Sequence, residues 1–290
     1  MKTSSKTPDD NSRHSHARDL CIILLFFLLI TSVGKAALKR EFVNPDFNYY
    51  IDVSMQLLLY GLLVLFSIRH LRLTRLGVSK MMGALTRARL IVAVGLGAVL
   101  FAFAHSENAV EAFLLAQYNP QFAYSRWPFH PDRVPAWKAL TGAFALHLFV
   151  GVIVAPMVEE FYFRGLLFSA FRSRVGIKQA AIASGVIFII AHLQHPYIVS
   201  TLVFSVILSL LYVATESIIL CAVAHGVFNL MAIISENFFL NWLIRSEQDF
   251  LFARMWYAEF ALWIISASII VWSINRFRSH YRRRNIPAPG

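Results

Sequence analysis

The chain has 290 residues, of which 58% are hydrophobic and 15% charged, and its formal net charge is +11. Its apolar residues gather in runs close to the length of a bilayer crossing, which excludes an ordinary soluble globular domain. The positive charge does not mark a nucleic-acid binder, because Lys and Arg flank the apolar runs instead of sharing one soluble face.

Residues 1–19 are polar and unpatterned and read as a disordered cytoplasmic tail, with His14 and His16 solvated in it. The first apolar run, 20–38, follows a basic segment as a signal peptide would. Its length, and Lys35 in the would-be cleavage region, favour a retained anchor. Runs at 51–68 and 88–105 come next, separated by a basic loop carrying Arg69, Arg72, Arg75, Lys80, Arg87 and Arg89. His105, Glu107 and Glu111 then sit at a span end, where solvation is cheap. Residues 118–137 combine prolines and aromatics, the composition of a loop lying at the outer interface.

Five further runs cover 139–158, 177–195, 197–213, 216–235 and 255–274, and Arg276, Arg278, Arg282, Arg283 and Arg284 follow them. A lipid-exposed backbone must satisfy its hydrogen bonds within its own segment, and no run alternates with period two as a barrel strand would. The expected fold is therefore all-α: a polytopic membrane bundle of about eight transmembrane helices over 20–278, ending in a basic cytoplasmic tail, 279–290. Basic residues concentrate on alternate loops, which predicts both termini cytoplasmic and anionic lipids as partners; the expected location is the plasma (inner) membrane. Cys21 and Cys221 lie within apolar runs and read as small core residues, with no disulfide framework. Nothing in the sequence sets an oligomeric state.

Ionisable groups inside spans are costly, so each is a candidate for function. The fourth span reads VAPMVEEFYFRGLLFSAF. Glu160 and Arg164 stand at i and i+4, with the acid N-terminal, and predict a pair. Glu159 points about 100° away from its neighbour and has no partner at that spacing. It must face another helix or a wet cavity, or be protonated, and is a candidate general base. Pro156 removes a backbone donor and predicts a kink or local opening. The fifth span contains FIIAHLQHP, with His192, and with His195 at its end. The seventh contains AHGVFNL, placing His225 and Asn229 on one face. Counted from the turn near residue 174, Glu159 and His192 fall at similar depth, with His225 and Asn229 somewhat shallower. His147 reads as a buried hydrogen-bonding histidine, and Glu216 as a turn residue.

EEFYFR, FIIAH and HGVFN match, in order, the EExxxR, FxxxH and HxxxN motifs of the CAAX-protease and bacteriocin-processing family of membrane endopeptidases, which the segment 139–235 resembles. The resemblance implies glutamate-dependent peptide hydrolysis inside the membrane, on a membrane-anchored protein or peptide. Glu159 with His192 would activate water, His225 and Asn229 would donate to the oxyanion, and Glu160 and Arg164 would support the site. It implies no cofactor, yet leaves zinc open on Glu159, His192 and His225. A non-enzymatic role, as a bacteriocin-immunity scaffold or a proton-coupled transporter, would also keep Glu and His in spans.

Overall fold

The computed structural model describes residues 8–41, 45–74, 81–119, 121, 141–192, 197–235 and 255–285. Its helices are α1 (Pro8–Glu41), α2 (Pro45–Thr74), α3 (Arg87–Ala116), α4 (Thr141–Phe149), α5 (Ala155–Glu160), α6 (Ser169–Ala191), α7 (Ile198–Thr215), α8 (Ile218–Ile234) and α9 (Met255–Asn285). Two π-helical stretches, Val150–Val154 and Phe161–Phe168, join α4 to α5 and α5 to α6. No strand occurs among the described residues, and the all-α polytopic bundle is as expected.

Among the described residues six helical stretches are long and apolar enough to cross a membrane, where the sequence predicted about eight spans. Two features account for the lower count. The stretch Ala145–Ala191 contains two of the predicted runs, and Ile218–Ile234 is apolar but short. The long stretch breaks at Gly176, whose φ of 80° and ψ of 172° leave the helical region. A positive φ of this kind is readily open only to glycine. Past the break the chain folds back. The Ser184 hydroxyl lies 3.5 Å from the Phe163 carbonyl, and the Phe163 and Phe188 ring centroids are 4.8 Å apart. Residues on either side of the turn thus face one another, as in an antiparallel helical pair.

Helix α1 begins at Pro8, so residues 8–19 are helical where an unordered tail was expected. Proline suits a first helical position, and extending a helix already formed by the anchor needs no new nucleus. Likewise α9 continues to Asn285, into the basic tail. His195 and all but residues 118, 119 and 121 of the aromatic, proline-rich loop lie outside the described residues.

The core sits where the fourth span meets its neighbours: Tyr162, Phe163, Leu167, Phe168, Leu208 and Leu220 are essentially inaccessible. Tyr162 donates its hydroxyl hydrogen to the Leu20 carbonyl, tying this core to α1. Helix α3 packs on α8 and α9, and α6 on α7. His105 is not the solvated end residue expected, since its Nε2 lies 3.3 Å from a Glu259 carboxylate oxygen, with both side chains under 15% exposed. That contact joins α3 to α9. Outward faces of α1 and α9 present Leu29, Val33, Ile264, Val271 and Trp272, the exposure a lipid-facing surface requires.

Candidate active site

The site is built around a defect in the fourth span. In the first π-helical stretch the Ala155 N–H donates to the Val150 carbonyl, five residues back. An α-helix would have sent that N–H to Gly151. The next donor in π register would be residue 156, but proline has none. The Gly151 carbonyl has thus lost both donors that helix geometry offers it, and the side-chain amide of Asn229 supplies the replacement at 2.7 Å. An unpaired carbonyl at this depth would be costly, so the bond fixes α8 against the opened stretch. Gly226 permits the approach, because a Cβ there would lie 2.6 Å from the Val152 carbonyl oxygen. His225 and Asn229, flanking it, are carried into the fourth span.

The adjacent carboxylates then diverge. Glu160 is fully buried; its Oε1 accepts from an Arg164 guanidinium nitrogen at 2.8 Å and pairs with His225 Nδ1 at 2.8 Å. Arg164, also fully buried, gives its other terminal nitrogen to the carbonyl and hydroxyl oxygens of Ser205 on α7, at 3.2 and 3.1 Å. Its guanidinium carbon lies 5.1 Å from the Phe188 ring centroid, a cation–π distance. Glu159 faces the other way. Its Oε1 accepts from the Tyr60 hydroxyl of α2 at 2.7 Å. Its Oε2 has no hydrogen bond among the described residues and lies 3.6 Å from His192 Nε2 and 3.9 Å from His225 Nε2.

Both imidazoles are oriented through their other nitrogen. His192 Nδ1 is 2.8 Å from the Phe188 carbonyl, and the Phe188 ring stacks on the imidazole at 4.1 Å. The Phe204 ring meets His225 edge-on at 4.8 Å. With Nδ1 held by a carbonyl in one case and a carboxylate in the other, each ring turns its Nε2 toward Glu159. Charge sharpens the arrangement. Two carboxylates share one fixed cation, Arg164, so an added proton on an imidazole, or another positive charge, neutralises the site.

The 3.6 and 3.9 Å separations exceed direct hydrogen bonds but suit a water set beside them, donating to Oε2 and to one Nε2. They also exceed the edge of about 3.4 Å between ligands of a tetrahedral zinc ion. Among the described residues no group of three or more His, Cys, Asp or Glu is arranged to hold a metal ion. His192 is the accessible member, its side chain 26% exposed against 10% for Glu159 and 5% for His225.

All six residues singled out in the sequence meet in one cluster, with Asn229 at its edge, bonded to backbone rather than to the other side chains. Tyr60, Gln56 and Ser205 were missed. Gln56 and Tyr60 stand at i and i+4 in an apolar run, so the argument applied to Glu and His would have flagged them too.

The apolar helices define a multi-pass membrane protein, and within its bundle two glutamates, two histidines and an arginine gather in one cluster. Residues 141–231 match the model of the Rce1-like family, type II CAAX prenyl endopeptidases, and the resemblance carried by the three motifs holds over that segment. The match supports a CAAX-type endopeptidase, a membrane hydrolase, in general terms. No curated protein and no solved structure matches the chain.

Proposed function

We propose that the protein is an intramembrane endopeptidase of glutamic type, hydrolysing a peptide bond in a membrane-associated protein or peptide. The observation that carries this reading is the meeting of Glu159 Oε2 with two Nε2 atoms from different helices. A water held there gives one proton toward Glu159, assisted by His192, while its oxygen attacks the scissile carbonyl carbon. The C–N bond breaks as the proton passes from the glutamic acid to the departing amine. His225, when it carries a proton on Nε2, donates to the oxyanion, and Asn229 has a second amide hydrogen beyond the one given to Gly151. Glu160 and Arg164 hold His225 in register. No cofactor is needed in this scheme.

The test is cleavage of a peptide library by purified protein, comparing wild type with Glu159→Ala and His192→Ala, with and without a chelator. Cleavage by wild type alone, insensitive to chelator, is expected. Equal activity in all three proteins contradicts the assignment, and loss of wild-type activity on chelation replaces it with a zinc mechanism.

A further inference from the structure

Helix α2 lies outside the matched segment, yet it supplies the one hydrogen bond of normal length that the Glu159 carboxylate accepts among the described residues. Tyr60 is 4% exposed and donates to Oε1 at 2.7 Å; the Gln56 side-chain amide, one turn away on the same helix, donates to the Tyr60 oxygen at 2.9 Å. Gln56 is exposed, so the relay runs from the face of the helix to the buried acid.

We propose that Tyr60, backed by Gln56, is the positioning residue of the catalytic centre, fixing which oxygen of Glu159 meets water. The inference rests on the function proposed above. Three features carry it. A glutamate side chain has three rotatable bonds, and among the described residues no other hydrogen bond holds this one, since both imidazoles stand beyond hydrogen-bond range of Oε2. With Oε1 held by the phenol, Oε2 is the oxygen left facing the two Nε2 atoms. The Gln56 bond leaves the Tyr60 oxygen accepting one hydrogen while its own points at the carboxylate, which sets the donor direction. A tyrosine needed only to fill space would gain nothing from Gln56, because phenylalanine fills the same volume without a polar group to satisfy.

Tyr60 acts through Glu159, to which its hydroxyl is bonded. Its removal should therefore lower kcat and leave KM alone. In the peptide assay Tyr60→Phe should reduce kcat at least tenfold with KM within twofold, in protein that is still folded at the assay temperature. Gln56→Leu should reduce kcat less, and not further in the Tyr60→Phe background. Wild-type kcat in Tyr60→Phe overturns the proposal, as does a fall in activity fully accounted for by the fraction of protein unfolded at the assay temperature.

A second measurement needs no turnover. The infrared difference between wild type and Glu159→Gln isolates the Glu159 carboxylate bands, and Tyr60→Phe should shift them; unshifted bands overturn the proposal. If the bands shift while Glu159→Ala cleaves as well as wild type, the positioning contact stands and the peptidase reading fails.

Discussion

Glu160 carries two charge-bearing contacts at full burial, one to Arg164 and one to His225. Removing its charge leaves the Arg164 guanidinium without a carboxylate, and breaking a buried pair from one side costs about 3–5 kcal/mol. Glu160→Gln should accordingly lower the unfolding temperature in detergent, whereas Glu159→Gln, which keeps a Tyr60 acceptor and strands no fixed cation, should not. Equal midpoints for Glu160→Gln and wild type contradict this division of labour between the two acids. The Glu160–Arg164 pair was legible in the sequence because both members lie on one helix at i and i+4. The partners of Glu159 were not, because Tyr60 lies 99 residues away and its approach depends on how helices pack. Sequence spacing reports neighbours along a helix and says little across one.

At the scale of an element, the fourth span is two π-helical stretches around a short α-helix, and the partner that repairs its missing backbone donor comes from α8. Asn229→Ala should cost about 1–3 kcal/mol, the penalty of a stranded polar group. Pro156→Ala returns an N–H in reach of the same carbonyl, so Asn229→Ala should cost less in that background. Additive effects in this cycle, read from unfolding midpoints, contradict the account. The proline foretold a disturbance here, and EExxxR, FxxxH and HxxxN foretold its neighbours. The sequence motif left open why phenylalanine precedes the histidine by one turn; its carbonyl holds Nδ1 and its ring lies on the imidazole. The runs 139–158 and 177–195 predict separate spans joined near residue 174, and the structure turns the chain at Gly176, close to that point.

For the whole molecule, hydrophobic runs alone disclosed an all-helical membrane bundle, because the bilayer permits few other solutions. The number of spans was harder to read. Length counts residues in a run, whereas crossing depends on where helices break and how far they tilt. The basic-residue asymmetry predicts an orientation with the Arg276–Arg284 end on the cytoplasmic side. A cysteine introduced at position 280 should react with an impermeant thiol reagent in inside-out vesicles and not in intact cells; labelling in intact cells reverses the topology. With that orientation, the α6–α7 connection at which His192 stands belongs to the outer half of the bundle.

The central claim is that the Glu159 carboxylate takes the proton from water. The most direct test is kcat of purified Glu159→Gln, a substitution that keeps size and the Tyr60 contact and removes only basicity. A loss of roughly 10²–10⁴-fold, with the unfolding temperature retained, is predicted for a general base. A Glu159→Gln protein that still cleaves within a few-fold of wild type contradicts the claim.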